Sequence, residues 1–156
     1  MKLDILNLQR RVPIRAARLR RLASRTLRLA GRAKRDVHLT VVDDREIRRL
    51  NARYLGERRP TDVLAFNLES PGPSSLLGEV IISAETAARQ AAALRIPVVV
   101  EIDLLLVHGL LHLLGYDDKA NAAARRMHGR EREILSQGRR RPLPARLWTD
   151  LLPGDE

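Results

Sequence analysis

The sequence predicts a single domain of the α/β or α+β class. At 156 residues the chain is long enough for one domain with its own core, and 44% of its residues are hydrophobic, as is typical of globular proteins. Four short segments have the apolar pattern of strands, and segments with helical periodicity lie between and after them. Strands interspersed with helices indicate a sheet packed against helices.

Turn residues set the limits of the predicted elements. Pro13 suits the first turn of a helix, and Gly31 and Gly56 suit the ends of helices. The loop "SPGPSS" is too rich in proline and glycine to be regular. The predicted strands are 2–8, 36–44, 62–69 and 77–83. The predicted helices are 13–30, 45–54, 84–95, 98–114 and 120–137.

One domain is predicted over residues 1–137, followed by a Pro/Arg-rich tail, 138–156, that we expect to be loosely docked or mobile. The chain has no cysteine, so disulfides and thiolate metal sites are excluded. Its first residues lack the pattern of a signal peptide. The most apolar run, 97–114, is interrupted by two acids and two histidines, which disfavours a membrane span. A soluble cytoplasmic protein is expected.

The positive charge is concentrated near the N-terminus. Residues 1–35 contain twelve Lys or Arg and one acid, a net charge of +11, whereas the other 121 residues hold seventeen basic and eighteen acidic side chains, a net charge of −1. On the predicted helix 13–30, arginines recur at spacings of three and four, which places them on one face. This stripe contains no glutamate to pair with them, so phosphate binding is favoured over a merely solvated face. Its members are Arg18, Arg21, Arg25, Arg28 and Arg32.

The stretch "VHGLLHLLGYDD" (107–118) carries the strongest chemical signal. His108 and His112 lie one turn apart on one helical face, and a turn at Gly115 can bring the following aspartates back toward them. Two histidines and a carboxylate are the ligands of many catalytic zinc sites. Two core histidines without a metal are the alternative, which is disfavoured because burying both costs free energy. The sequence "HGLLH" lacks the glutamate of the His-Glu-x-x-His peptidases, so that mechanism is disfavoured.

This stretch closely resembles the signature of the YbeY family, His-Gly-x-Leu-His-Leu-x-Gly-Tyr-Asp-His, whose members are metal-dependent endoribonucleases of bacterial ribosomal RNA maturation. Two further blocks resemble the same family, in its order and spacing. They are "LNARYLGERRPTDVLAFNLE" (50–69) and "LLGEVIIS" (76–83), where Gly-Asp is more usual than Gly78-Glu79. The resemblance covers about 41–135.

The resemblance implies an α+β fold with a small mixed four-stranded sheet, about five helices and a metal site on the central histidine-bearing helix. It implies a zinc ion held by His108, His112 and Asp118. It also implies hydrolysis of single-stranded RNA, with ribosomal RNA and the small ribosomal subunit or its precursors as partners. Neither DNA nor a membrane is expected as a partner.

Two positions depart from the family pattern. The third ligand is normally histidine, where this chain has Asp118; the change keeps a zinc ligand but makes Mn²⁺ or Fe²⁺ a stronger alternative. The family commonly has arginine after the tyrosine of its second block, where this chain has Leu55. Three nearby arginines are candidates to replace that phosphate contact. They are Arg53, Arg58 and Arg59.

The general base is less well defined. Asp117 and Glu79 are the candidates for a proton acceptor, and Asp117 is equally suited to orient a histidine ring. His38, in a predicted strand, and His128, on a helix predicted to be exposed, have no ligand partner in the sequence and are assigned no site role. Aromatic residues make up 3% of the chain, which disfavours a broad base-stacking platform.

Two other functions stay open at this point. The first is a ribosome-assembly or RNA-binding factor with a structural metal and weak or no catalysis, which Leu55 and Asp118 both favour. The second is a metal-dependent hydrolase of another substrate, which explains the arginine stripe less well.

Overall fold

The chain folds into a four-stranded sheet and five helices in the part that the computed structural model describes, residues 1–56, 61–72, 74–139, 141–145 and 147. The strands are β1 (Leu3–Asn7), β2 (Asp36–Val42), β3 (Val63–Asn67) and β4 (Leu76–Ser83). The helices are α1 (Ala16–Leu29), α2 (Asp44–Leu55), α3 (Ala84–Leu94), α4 (Val98–Leu113) and α5 (Asn121–Ser136). Every predicted element is present, although α1 begins three residues after Pro13.

The sheet is mixed, as predicted. Its order is β1-β2-β4-β3, with β1 and β4 parallel to β2, and β3 antiparallel to β4. A mixed sheet packed with helices is an α+β fold, so the predicted fold class is confirmed. In the register of the antiparallel pair, Asn67 lies opposite Gly78.

Capping side chains set the ends of the helices that flank β3 and β4. Asp43 accepts a hydrogen bond from the backbone N–H of Glu46 at the start of α2, and Ser83 accepts one from that of Thr86 at the start of α3. Gly56 ends α2 with φ +72°, a left-handed conformation that glycine adopts without strain.

Helix α4 is the centre of the core, since it contacts the other three core helices and two strands. Twelve of its sixteen residues are buried. Gly109 allows its close approach to the sheet, because a Cβ there would lie 2.7 Å from Val80 Cγ1 and 3.3 Å from Val63 Cγ2. A Cβ on Gly78 would likewise lie 2.8 Å from Leu113 Cδ2. Because these two glycines have no side chain, α4 packs close to β3 and β4.

The C-terminal segment differs from the expected loose tail at two positions. Leu143 and Leu147 are buried and belong to the same hydrophobic core as α4. Burying these leucines stabilises the docking of that segment. The domain limit at residue 137 stays a prediction. In the part of the chain that the structure describes, no single helix is long and apolar enough to span a membrane, and α3 and α4 reach that length only as a pair bent by 118°.

Candidate metal centre and nucleic-acid interface

His108 and His112 project from α4 to the same point. Their Nε2 atoms are 3.1 Å apart, and their rings meet edge to face. Both side chains are partly exposed, 18% for His108 and 31% for His112, so the site is open to solvent. The one-turn spacing in the sequence therefore brings both imidazoles together.

The other ring nitrogen of each histidine has a hydrogen-bond acceptor. Nδ1 of His108 lies 2.6 Å from Glu131 Oε1, and Nδ1 of His112 lies 3.2 Å from the backbone oxygen of Tyr116. A carboxylate and a carbonyl can only accept, so each Nδ1 carries the proton and donates it. In the neutral rings both Nε2 atoms then present lone pairs to each other, an arrangement that a shared cation stabilises.

Asp118 completes the cluster. Its Oδ2 is 3.5 Å from His108 Nε2 and 3.6 Å from His112 Nε2. Ligands about 2.0–2.1 Å from a tetrahedral zinc lie about 3.3 Å from one another, so the three atoms are close to the spacing that such an ion requires. The turn at Gly115, where φ is +97°, returns the chain so that this carboxylate reaches the histidines. The donor set therefore fits a metal with nitrogen and oxygen ligands.

Glu131 was not among the residues predicted from the sequence. This side chain of α5 is fully buried and accepts from Nδ1 of both His108 and His128, the latter at 3.1 Å. The ring of His128 stacks against that of His108, with centroids 6.2 Å apart. The prediction that His128 lies exposed was wrong, since it is only 6% exposed. The available signal was the His128-x-x-Glu131 spacing, which places both residues on one helical face.

The electrostatics couple His108 and Glu131. Burial lowers the pKa of His108, but the hydrogen bond and negative charge of Glu131 outweigh it and raise the pKa above its usual value. Burial raises the pKa of Glu131, whereas its hydrogen bonds to the two histidines lower it, and the pKa is lowered overall. Glu131 is therefore an ionised carboxylate held in the core by its imidazole partners.

The two predicted proton acceptors lie elsewhere. Asp117 is exposed and accepts a hydrogen bond from the backbone N–H of Lys119, 2.9 Å away. It does not orient a histidine ring, since Glu131 and the Tyr116 carbonyl take that role. Glu79 lies on the face of the sheet away from α4, where it accepts from the Thr40 hydroxyl at 3.0 Å. Successive residues of a strand point to opposite faces of the sheet, and Gly78 and Val80 face α4, so Glu79 points away from it.

Of the five arginines in the stripe, Arg32 lies beyond the end of α1 and pairs with Glu69, and the other four divide into two groups. Arg18 donates to Asp103 of α4 through two nitrogens, at 2.6 and 2.9 Å, and Arg25 donates to the backbone oxygens of Ile134 and Gln137. Arg21 and Arg28 are exposed. The first pair therefore joins α1 to α4 and α5, and the second pair is available to a ligand.

Of the three arginines predicted to replace the phosphate contact missing at Leu55, only Arg53 lies among the described residues. Arg53 is exposed, with its guanidinium carbon 5.4 Å from the centroid of the Tyr54 ring. Leu55 is 56% exposed at the end of α2. Arg58 and Arg59 lie outside the described residues.

Fold and site together define a small α+β protein with a solvent-open histidine–carboxylate cluster that fits a metal ion. A family model described as "Endoribonuclease YbeY" matches residues 4–139. The chain therefore belongs to the YbeY endoribonuclease family, and the predicted class of hydrolase, an endonuclease, is confirmed at the level of the family.

Individual relatives agree with this assignment. The chain is 42% identical over 142 residues to the endoribonuclease YbeY of Geobacter metallireducens, covering 87% of this chain and 95% of the relative. It is 49% identical over 120 residues to that of Anaeromyxobacter sp. (strain Fw109-5), covering 76% of this chain but 62% of that longer relative. The solution structure of TM1509 from Thermotoga maritima is similar in fold, with a TM-score of 0.60, 24% identity and coverage of 85% and 86% of the two chains.

Proposed function

We propose that the protein is a metal-dependent endoribonuclease that cleaves single-stranded RNA during ribosomal RNA processing and ribosome maturation. Family membership supports the activity. The observation that carries the proposal is the pair of histidine Nε2 lone pairs converging on one point with the carboxylate of Asp118. Ribosomal RNA and the small ribosomal subunit or its precursors are the proposed partners, and the cytoplasm is the proposed location.

In this proposal His108, His112 and Asp118 hold one zinc ion. When bound, zinc supplies a Lewis acid that acidifies water and neutralises phosphodiester oxygens. Two histidines and one carboxylate are also a donor set for Fe²⁺ or Mn²⁺; metal analysis decides among the three. Glu131 acts on the ligands by fixing the tautomer and ring orientation of His108.

The exposed arginines of α1 would bind the RNA backbone. Arg21 and Arg28 are exposed two turns apart on one face of α1, so they suit two phosphates of one strand. Arg53 is a third exposed contact, near the family position occupied here by Leu55. Arg25 adds its charge to this surface while holding α1 in place, whereas the charge of Arg18 is balanced by Asp103.

The alternative, an RNA-binding assembly factor with a structural metal, is less well supported. Structural zinc sites are closed by four protein ligands. Among the described residues only three donors converge here, and the side chains of His112 and Asp118 are 31% and 38% exposed. An open coordination position is what a catalytic centre needs for water or substrate.

The deciding experiment measures cleavage of a single-stranded ribosomal RNA fragment by protein purified without chelator. We expect cleavage that a chelator abolishes and that His112→Ala removes, while circular dichroism shows an intact fold. His38→Ala is the matched control, since that histidine is an exposed partner of Asp4 on the sheet. Chelator-resistant cleavage, or full activity in folded His112→Ala, contradicts the proposed mechanism. Metal content beside Asp118→Ala tests the third ligand independently of activity.

A further inference from the structure

A cavity of about 270 Å³ adjoins the metal centre. It lies between α3, α4 and α5, and His108 and Glu131 line it as well as the metal centre. Leu94, Leu104 and Leu105 form apolar walls. Ligand pockets measure about 300–1,000 Å³, so this cavity is of a size for a single nucleobase rather than a longer ligand.

Glu101 is the unexplained group in this cavity. The side chain is 97% buried, since only 3% of the residue is exposed, and its Oε2 has no hydrogen-bond partner among the described residues. Burial, together with the negative charge of Asp62, raises the pKa of Glu101 to about 7. A buried carboxyl oxygen without a partner is costly in a folded protein, and this one belongs to a side chain that lines a cavity that a ligand can enter.

The other polar groups of the cavity are mainly acceptors. Asp62 is half-buried at the start of β3, where its backbone oxygen accepts from the N–H of Ser83. Gln90 donates one N–H of its Nε2 to Asp62 Oδ2 across 3.4 Å, which leaves its amide oxygen as an acceptor and its second N–H as a donor. Glu131 is already paired with two histidines. The cavity therefore suits a flat, largely apolar ligand that presents N–H donors on one edge.

From this geometry we infer that the cavity is a nucleobase subsite that reads a guanine of the RNA substrate, with Glu101 and Asp62 accepting from its N1–H and 2-amino groups. The inference rests on the proposed ribonuclease function. Guanine offers two adjacent donors on its Watson–Crick edge, whereas uracil offers one N–H between two oxygens. Sequence-specific recognition of RNA commonly takes an unstacked base by this edge.

Charge separates the base from its phosphate. The cavity contains three carboxyl groups, at Asp62, Glu101 and Glu131, and these disfavour entry of a phosphodiester. The phosphate therefore stays outside, on the side of His108 that faces His112 and Asp118. His108 lies between the two sites, so a guanine in the cavity places a neighbouring phosphate at the metal centre. Recognition by an edge also needs no stacking platform, in agreement with the low aromatic content of the chain.

The test follows backbone amide resonances of the ¹⁵N-labelled full-length protein during titration with guanosine 5′-monophosphate, uridine 5′-monophosphate and ribose 5-phosphate. We expect the guanine nucleotide to shift the resonances of Ala93, Leu94 and Leu105 and to bind about tenfold more tightly than the uracil nucleotide, since hydrogen bonds to charged groups are the stronger ones. Glu101→Leu keeps the volume and should bring that ratio close to one. Equal affinities in the wild type overturn the inference.

Two tyrosine variants on the surface of α3 provide a matched pair. Ala93 is exposed and lines the cavity, whereas its exposed neighbour Ala92 does not. Ala93→Tyr should block the guanine-dependent shifts and Ala92→Tyr should keep them; the same effect from both overturns the inference. Shifts at these residues with N-acetyl-arginine amide and none with the guanine nucleotide also overturn it, because the occupant is then a basic protein side chain.

A cleavage assay separates this inference from the proposed function. The substrates are uridine-rich oligonucleotides with one guanosine. Cleavage near the guanosine in the wild type that is lost in Ala93→Tyr supports both the nuclease function and the guanine subsite. Cutting without regard to the guanosine keeps the nuclease and overturns the subsite. Guanine binding without any cleavage supports the subsite and overturns the nuclease.

Discussion

Glu131 should control metal affinity without touching the metal. We expect Glu131→Gln to reduce zinc affinity by about 10–100-fold, the usual effect of losing a group that orients a histidine ligand. The carboxylate accepts from His108 Nδ1 at 2.6 Å and from His128 Nδ1 at 3.1 Å. A glutamine oxygen can accept one of these bonds, but its NH₂ group opposes the other donor, so one histidine must change tautomer or rotate.

The magnitude follows from the burial of these groups. Glu131 is fully buried, and hydrogen bonds between a charged acceptor and a donor contribute about 1.5–3 kcal/mol each. A loss of about 1.4–2.7 kcal/mol from the binding free energy corresponds to the 10–100-fold range. We expect the lost hydrogen bond to weaken zinc binding, because the Nδ1–H bond also makes His108 Nε2 a better electron-pair donor to the ion.

Competition with a chromophoric chelator at constant pH measures this affinity. Glu133→Gln is the control: Glu133 is two residues further along α5, exposed and paired with Arg130. That change should leave zinc affinity within about twofold, as expected for an exposed ion pair. The reasoning is refuted if folded Glu131→Gln binds zinc as tightly as Glu133→Gln.

Four further predictions concern the fold and the RNA surface. Replacing Arg21 and Arg28 together by alanine should weaken RNA binding and reduce the slope of log K against log salt by about 1.4, at about 0.7 per phosphate contact; an unchanged slope in a salt series contradicts this. Arg18→Ala should instead lower the free energy of unfolding by about 2 kcal/mol in a urea titration, because it leaves Asp103 buried without its cation, and stability equal to that of Arg21→Ala contradicts it. Gly109→Ala should cost about 1–2 kcal/mol, since its Cβ meets Val80 Cγ1 at 2.7 Å, and Val80→Ala in the same chain should recover part of the loss; no recovery means that the contact is not the cause. Glu101→Gln should raise the free energy of unfolding at pH 8 by up to about 3 kcal/mol and flatten its pH dependence between pH 5 and 8. The reason is that Glu101 has a pKa of about 7 in the folded state and so keeps a proton that the unfolded chain releases near pH 4.5. Parallel pH profiles of wild type and variant contradict this.

Local patterns in the sequence were sufficient for the elements and for the pair of histidine ligands. Periodicity and turn residues predicted all four strands and five helices, and the His108–His112 spacing predicted that the imidazoles converge. These signals lie within one helix or one strand, where the backbone geometry relates spacing to direction. The mixed topology of the sheet came instead from the resemblance to the family.

Contacts between distant segments were not predictable in this way. Glu131 is 23 residues from His108, and Asp103 is 85 residues from Arg18. The stripe on α1 looked unpaired because its partners come from other elements. Glu79 was misplaced for a related reason: β4 is apolar along most of its length and lies between two strands, so its sequence does not show which face a given residue occupies.

Both departures from the family pattern reduce the positive charge of the region in which they lie. Asp118 places a negative charge beside the two histidines, and Leu55 stands at the end of α2 where the family commonly has a positively charged arginine. With Glu131 ionised, a bound dication would be balanced by two carboxylates, so its pull on water and on phosphate oxygens is weaker than with three imidazoles. Under the proposed mechanism, stabilisation of the developing negative charge then depends more on arginines outside the centre. Arg21, Arg28 and Arg53 are exposed, whereas Arg18 is paired with Asp103. We therefore expect cleavage by this protein to depend more steeply on salt than cleavage by a family member with the third histidine and the arginine, because more of its anion stabilisation comes from solvent-exposed charges.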